Sequence, residues 1–282
     1  MLNLQKIKID YCVEQVKKAY RRNYSEMDQH LGNILIWSVY LSLENIANSD
    51  ALYHDIDHTV MVTLAGQAII EGKHLSQGGV APKDWVHFMV ALLLHDIGYV
   101  KGICKADREW TVATGDNGAT VQVPEGSTDA VLAPYHIGRS KLFVEERFGK
   151  SMLMGMEGVI DADLIASYIE MTRFPVPSEK WYQHTDNFHG LVRAADFIGQ
   201  LGDPNRLQKC TGLFYEFAEI GLNEKLGYKA PGDLRRNNAK FYWDEVNPYV
   251  RDALRYLRVT QDGKQWYSNL QANVFGQGLN GI

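Results

Sequence analysis

The sequence predicts an all-α fold, and three observations support this prediction. Apolar residues recur at helical spacing in most segments, for example at Val13, Val16 and Tyr20 near the N-terminus. The alternating pattern typical of half-buried strands is weak throughout the chain. Capping residues, glycines and prolines divide the helical stretches from one another. We therefore expect a helical bundle, interrupted by one polar insertion near residues 101–126.

The first elements follow from this spacing. Residues 3–48 predict amphipathic helices, and Ser49-Asp50 is a plausible cap for a helix that runs to about Gly72. After a glycine-rich loop, Asp84 is expected to cap a helix that ends at Leu94. That helix is apolar nearly all round, which is typical of a buried helix. The doublet His95-Asp96 is thus expected at the end of the most buried helix.

The second half of the chain begins with the insertion. Residues 101–126 are polar and rich in glycine, which fits a short hairpin that is either a lid at the site or a surface feature. Further helices are predicted, and the tail from Gln261 is polar and aperiodic. The predicted helices lie after Ser127-Thr128-Asp129 through Phe148 and at residues 158–173, 187–202, 205–226 and 241–258.

No repeat or clear linker divides the chain. We expect N-terminal helices at residues 1–48, a functional core at 49–205, and C-terminal helices with a polar tail at 206–282. These three parts are expected to form one compact domain, since 282 residues suffice for one large helical domain.

Composition narrows the classes of partner. The net charge of −5 and the sequence pI near 6.0 argue against binding of duplex nucleic acid. The longest apolar run, residues 88–94, is too short to span a bilayer, so no membrane association is expected. Three scattered cysteines and an N-terminus without an apolar signal segment indicate a reducing, cytoplasmic location.

Histidines and aspartates occur in a pattern suited to a metal. Imidazoles and carboxylates together are ligands for borderline and hard divalent cations, and an ion held by them can activate a water molecule. The candidate residues are His54, His58, His95, Asp96, His136 and Asp196.

Burial strengthens this interpretation. His95-Asp96 follows the apolar run of residues 88–94, and Asp196 interrupts another apolar stretch. Burying such groups without partners is costly, so each needs a metal or a compensating ion pair. For Asp196, a buried pair with Arg193 on the same helix is the alternative.

The order His, His-Asp, Asp resembles the HD-domain superfamily of metal-dependent phosphohydrolases. The resemblance rests on His58, the doublet His95-Asp96 and Asp196, and it spans roughly residues 50–205. It implies an HD-domain-like helical bundle in which these four residues bind a divalent ion.

Two branches of that superfamily suggest further roles. The segment Tyr53-His54-x3-His58-Thr59 is similar to the motif of class I cyclic-nucleotide phosphodiesterases, which makes His58 a ligand and His54 the general acid. The surroundings of His136 are similar to the HD-GYP branch, where a later histidine binds a second metal that Asp96 would bridge. The paired histidines of that branch are absent here, and Thr172 lies near their expected place.

The resemblance implies hydrolysis of a small-molecule phosphoester, with a phosphodiester such as a cyclic nucleotide favoured because His54 can protonate an alkoxide. Asp96 and His54 are the candidate catalytic residues. One or two divalent ions are expected, and Mg, Mn, Zn and Fe all suit these ligands. Candidate substrate contacts are Arg193, Lys101, Arg139 and Thr172.

Three alternatives remain open at this stage. They are a phosphomonoesterase or nucleotidase of the same fold, a di-iron oxygenase of the HD type, and a module that binds a nucleotide without catalysis. The oxygenase needs two extra histidines between the doublet and Asp196, and only His136 suits that role. Homo-oligomerisation is also left open.

Overall fold

A computed structural model describes residues 2–25, 27–149 and 159–276. Helices make up 68% of the structure and strands 3%, so the predicted all-α class is confirmed. The α-helices, in chain order, are α1 Leu4–Tyr24, α2 Gln29–Ile46, α3 Ile56–Ser76, α4 Pro82–Leu94, α5 His136–Phe148, α6 Ala162–Glu170, α7 Phe188–Leu201, α8 Arg206–Glu219, α9 Leu222–Leu226, α10 Pro231–Arg236, α11 Asn238–Phe241, α12 Asn247–Leu257 and α13 Gln261–Phe275.

Helix α3 lies at the centre and packs against α1, α4, α7 and α12. Its approach to α7 is unusually close because the contact is built from small residues. A Cβ atom added at Gly199 of α7 would lie 2.6 Å from Val62 Cα of α3. At Gly66 of α3, an added Cβ would lie 3.2 Å from Ala195 Cβ. This close contact between α3 and α7 places His58 of α3 beside Asp196 of α7.

Helix α4 is buried along its length from Trp85 to Leu94, as its apolar sequence predicts. It begins with Pro82 after the N-cap Ala81, rather than at an Asp84 cap, and a proline is well suited to the first turn. His95 is the C-cap, so the doublet lies at the buried end of this helix, as expected.

Helix α3 begins later than predicted. Its N-cap is Asp55, whose side chain accepts a hydrogen bond from the backbone N–H of His58 at 3.0 Å. The expected cap is used elsewhere, since Asp50 Oδ1 accepts a hydrogen bond from the Asp129 backbone. His54 therefore precedes the helix, whereas the helix predicted from Ser49-Asp50 to about Gly72 included it.

The polar insertion contains the expected hairpin, formed by β1 Thr111–Ala113 and β2 Thr120–Gln122 in antiparallel pairing. Its far end is tied down at a helical turn that Thr128 caps. Thr128 donates through its backbone and its hydroxyl to Glu219 of α8. The insertion is thus anchored on α8 as well as on the core.

The C-terminal region departs from the prediction in one place. An aperiodic tail is expected from Gln261, whereas the structure has α13 there, capped by Thr260. Leu270 and Val274 of α13 are buried in the main apolar cluster, which reaches back to Ile9 in α1. Sparse apolar positions therefore suffice to hold this helix. Residues 277–282 of the predicted tail lie outside the described residues.

In the part of the chain that the structure describes, no helix is both long enough and apolar enough to cross a membrane.

Candidate metal centre

Four side chains from three separate segments lie together: His58 near the start of α3, His95 and Asp96 just after the end of α4, and Asp196 in the middle of α7. His58 Nε2 is 3.2 Å from Asp96 Oδ2 and 3.5 Å from Asp196 Oδ1. His95 Nε2 is 3.0 Å from Asp96 Oδ2 and 3.7 Å from Asp196 Oδ1. His58, His95 and Asp96 form a buried floor, whereas the side chain of Asp196 is 20% exposed. Four nitrogen and oxygen donors therefore face one small volume that opens towards Asp196.

The protonation of His95 follows from its backbone contact. Its Nδ1 lies 2.7 Å from the carbonyl oxygen of Leu92, so Nδ1 must carry the hydrogen and donate it. In the neutral ring, Nε2 then presents a lone pair to the Asp96 carboxylate at 3.0 Å. Both His95 Nε2 and Asp96 Oδ2 are buried and have no hydrogen-bond partner among the described residues. Two acceptor atoms this close require a proton or a metal cation between or beside them.

The pKa shifts point the same way. Burial lowers the pKa of His58, but its close contacts with the carboxylates of Asp196 and Asp96 outweigh burial and raise that pKa to about 10. Burial likewise lowers the pKa of His95, and Asp96 raises it above its usual value. Burial raises the pKa of Asp96, but His95 and His54 hold it well below its usual range. The cluster thus takes up protons, and a bound cation would supply the same positive charge.

His136 faces the other oxygen of Asp96. Its Nε2 lies 3.8 Å from Asp96 Oδ1, and its Nδ1 lies 2.5 Å from the carbonyl oxygen of Ala133, to which it must donate. Burial lowers the pKa of His136 to about 4, so the ring is neutral near pH 7. Histidines that bind metals typically donate their second ring N–H to a carbonyl or carboxylate, as His95 and His136 both do. Asp96 is placed to bridge two positions.

His54 lies beside this cluster on the segment that precedes α3. Its ring centroid is 5.5 Å from that of His58, and its side chain is 17% exposed. His54, His58 and Asp96 also offer donor atoms within 4.8 Å of one another, so geometry alone allows His54 to bind a metal. Its hydrogen bonding indicates a different role.

Glu216 of α8 orients His54, and the sequence analysis missed it. His54 Nδ1 lies 2.6 Å from Glu216 Oε2, while the backbone N–H groups of Tyr53 and His54 donate to Glu216 Oε1. Glu216 is 4% exposed, and burial raises its pKa while His54 lowers it to a net value below the usual one. A buried carboxylate between the aromatic residues Tyr215 and Phe217 was the signal available in the sequence.

Tyr99, three residues after Asp96, contacts the rings of both His54 and His136. Its ring stacks on His54 at 4.2 Å with an 11° tilt and on His136 at 4.6 Å with a 25° tilt. Burial keeps the pKa of the Tyr99 phenol well above its usual value, so its hydroxyl stays protonated. The stack limits rotation of both imidazoles about their side-chain bonds.

The four predicted substrate contacts have other partners, and two of them are deeply buried arginines. Arg139 is fully buried and donates to both carboxylate oxygens of Asp107 and to the carbonyls of Gly98, Val100 and Ala113. With its donors committed in this way, Arg139 braces the insertion instead of meeting a substrate.

Arg193 is likewise occupied. Its guanidinium donates to the carbonyls of Tyr182 and His184 and lies 4.3 Å from the centroid of the Tyr249 ring. Burial lowers its pKa to about 10. The structure also shows no Asp196–Arg193 pair among the described contacts, since Asp196 faces the two histidines. The alternative ion pair is therefore not formed, and the Arg193 guanidinium, predicted to contact substrate, is held by Tyr182, His184 and Tyr249.

Lys101 and Thr172 are also used locally. Lys101 Nζ donates to the carbonyl of Ser127 and lies 4.0 Å from Asp129 Oδ1. The Thr172 hydroxyl donates to the carbonyl of Ile169 at 2.9 Å, as expected for a residue at the end of a helix. Neither side chain is brought to the cluster. The positions of Lys101 and Thr172 relative to the motifs could not reveal these local partners.

The structural role of Arg139 makes a testable prediction. Replacing Asp107 by Asn should lower the free energy of unfolding by roughly 3–5 kcal/mol, because it leaves a buried guanidinium without its counter-ion. Chemical denaturation followed by circular dichroism measures this change. Asp10→Asn is the control, because Asp10 pairs only with the exposed Lys6 and its loss should leave the midpoint unchanged. A loss below about 1 kcal/mol for Asp107→Asn would show that the pair is not needed for stability.

Comparison with known proteins places the chain in a family. No curated protein and no solved structure matches it. One family model, described as Npun_R2479-like, matches residues 2–278. Because this match covers nearly the whole chain, the protein belongs to the Npun_R2479-like family.

Proposed function

We propose that this protein is a metal-dependent phosphohydrolase with an HD-type site. The observation that carries the proposal is the unpartnered pair of His95 Nε2 and Asp96 Oδ2, 3.0 Å apart in the buried floor of the cluster. His58 and Asp196 complete a set of nitrogen and oxygen donors within 4 Å of that pair. Such a set suits a divalent cation, which would neutralise the buried carboxylates in place of a protonated His58.

The donors fit one ion, and the arrangement around Asp96 fits a second. His58, His95, Asp96 and Asp196 would hold the first, while Asp96 Oδ1 and His136 would hold the other. Mg, Mn, Zn and Fe are all compatible with these ligands. When bound, the ion supplies Lewis acidity and lowers the pKa of a coordinated water molecule.

His54 and Glu216 supply the proton chemistry. The Glu216 carboxylate accepts the Nδ1 hydrogen of His54 and thereby directs Nε2 away from the protein backbone. A protonated Nε2 can donate to the leaving oxygen of a substrate, and Glu216 stabilises the charged ring before the transfer. Protonation matters most when the leaving group is an alkoxide. We therefore propose phosphodiesters with alkoxide leaving groups, such as cyclic nucleotides, rather than esters of acidic alcohols.

The rim of the site suits a small molecule. His54, His136 and Asp196 are each about one-fifth exposed, whereas His58, His95 and Asp96 lie almost entirely below the surface. The net charge of −5 provides no general attraction for a duplex nucleic acid. We therefore propose a small-molecule phosphoester as the substrate.

One experiment tests the proposal directly. Protein purified without chelators is analysed for metals and then assayed with bis-p-nitrophenyl phosphate, p-nitrophenyl phosphate, cyclic mononucleotides and nucleoside triphosphates. We expect one to two equivalents of a divalent metal and turnover of a phosphodiester that chelation abolishes. Iron with an EPR signal after partial oxidation, and no turnover in any assay, would instead favour a di-iron oxygenase. Binding of a nucleotide without turnover by metal-loaded protein would favour the non-catalytic module.

A further inference from the structure

The guanidinium of Arg206 is buried without an anionic partner. Arg206 is the first residue of α8 and is 3% exposed. Its Nε makes one long hydrogen bond, at 3.3 Å, to Asn238 Oδ1. Its Nη1 is buried and has no hydrogen-bond partner, and the described part of the chain gives the guanidinium no carboxylate within ion-pair distance.

This state differs from that of the other two deeply buried arginines. Arg139 is neutralised by Asp107. Arg193 also has an unpartnered nitrogen, Nε, but its two terminal nitrogens donate to carbonyl groups and its guanidinium lies on the face of Tyr249. A buried charge without such compensation is costly to the folded protein. The charge of Arg206 therefore does not stabilise the fold through any described contact. A bound anionic ligand would explain why a charged residue is present there.

Arg206 is linked to the metal centre through Cys210 and Tyr53. Tyr53 packs in one apolar cluster with Cys210, which is one turn along α8 and donates through Sγ to the Arg206 carbonyl. The Tyr53 ring centroid is 5.1 Å from that of His58. Burial raises the pKa of the Tyr53 phenol, and the charge of Arg206 is the largest effect that opposes this rise. Tyr53 therefore contacts His58 and is near enough to Arg206 for their charges to interact.

The acidic groups near Arg206 have other partners and do not neutralise its guanidinium. Asp203 precedes α8 and is the nearest acidic residue in sequence, but its carboxylate pairs with Lys209 at 2.6 Å. The other acidic group that acts on the Tyr53 phenol is Asp196, which faces the histidines. The backbone N–H groups at the start of α8 add partial positive charge beside Arg206.

We propose that Arg206 binds an anionic oxygen group of a ligand, of the phosphate class, and forms an anion subsite next to the metal centre. A guanidinium can donate two parallel hydrogen bonds to a phosphate, and Nη1 is available for such a contact. That this phosphate belongs to the substrate rests on the function proposed above. The subsite would take an anionic group beyond the ester being cleaved, so it implies a phosphodiester with a second anionic group rather than a cyclic mononucleotide.

Inorganic phosphate is the probe, and melting temperature is the first measurement. We expect phosphate to raise the melting temperature of the wild-type protein, because a ligand that binds only the folded state stabilises it. The Arg206→Met variant should melt at or above the wild-type temperature without phosphate, since an unpaired buried charge has been replaced by an apolar side chain. It should lose the phosphate-induced rise, and its phosphate dissociation constant should increase by about 30-fold or more.

Two further variants sharpen the test. Arg206→Lys keeps a charge without the planar fork, so it should retain part of the phosphate effect. Arg235→Met removes an exposed arginine from the neighbouring helix α10 and should keep all of it. The series is repeated in a His58→Ala background, in which the predicted metal centre is impaired, so that phosphate bound to a metal does not contribute.

Several results would overturn the inference. A wild-type protein that phosphate does not stabilise, or an Arg206→Met variant that phosphate stabilises equally, would show that Arg206 binds no anion. An Arg206→Met variant that melts well below the wild type would show that the guanidinium is a structural element. If phosphate behaves as expected but no phosphoester is hydrolysed, the anion subsite stands and the proposed function fails.

Discussion

Replacing Asp96 by Asn is expected to remove most of the bound metal and all measurable phosphoester hydrolysis while the helical fold is retained. Asp96 contributes both of its oxygens to the cluster, one towards His58 and His95 and the other towards His136. Loss of groups that merely support metal ligands typically costs roughly 10- to 100-fold in metal affinity, so loss of a bridging carboxylate should cost at least that much. Elemental analysis, activity and far-UV circular dichroism measure the three properties on one preparation.

The matched control for this variant is Asp57→Asn. Asp57 is adjacent to His58 in the same motif, but its carboxylate points to Lys8 of α1 at 2.6 Å. The substitution makes the same change in charge one residue from a predicted ligand, and it should leave metal content and activity near wild type. Full metal content in Asp96→Asn would mean that the cluster is only a network of buried ion pairs. The protonated His58 would then be its counter-ion.

Replacing His54 by Ala is expected to lower turnover by roughly 100- to 10,000-fold on substrates with alkoxide leaving groups, the range typical of general acid catalysis. The loss should be much smaller with bis-p-nitrophenyl phosphate, because p-nitrophenolate leaves without protonation. Glu216→Gln should reduce turnover in the same direction but less, since the glutamine still offers an oxygen to the backbone N–H groups of Tyr53 and His54. Steady-state kinetics with both substrate types measure the difference.

Metal analysis decides between the two roles that geometry allows for His54. If it carries a proton, His54→Ala keeps the wild-type metal content. If it is a ligand in the group formed with His58 and Asp96, metal and activity fall together on every substrate. The control His30→Ala removes an exposed histidine of α2 and should change neither property.

Much of the fold could be predicted from local patterns. The buried character of α4, its end at the His95-Asp96 doublet, and the hairpin in the insertion follow from apolar runs, breakers and glycines. The start of α3 was missed because Asp50 and Asp55 are equally good caps in sequence. Only the contact between Asp50 and the Asp129 backbone, 79 residues away, decides between them.

The candidate site likewise contains some residues that the sequence reveals and others that it does not. Residues that interrupt apolar helices, such as Asp96 and Asp196, can be recognised because burial of a carboxylate demands a partner. Arg139 and Arg193 look equally suitable for a phosphate. Both donate to backbone carbonyls, which leave no mark in a sequence, and the carboxylate partner of Arg139, Asp107, is 32 residues away. Glu216 was missed because its partner His54 is 162 residues away in the sequence.

The way that α8 holds the insertion has a mechanical consequence. Glu216 and Glu219 are three residues apart on α8, so they move as parts of one stiff rod. The first carboxylate sets the direction of the His54 imidazole, and the second grips Thr128 where the insertion returns to the core. A ligand that displaces the segment at Thr128 would therefore also displace Glu216, which orients the His54 imidazole. Binding of a ligand at that segment would in this way affect the position of the proposed proton donor.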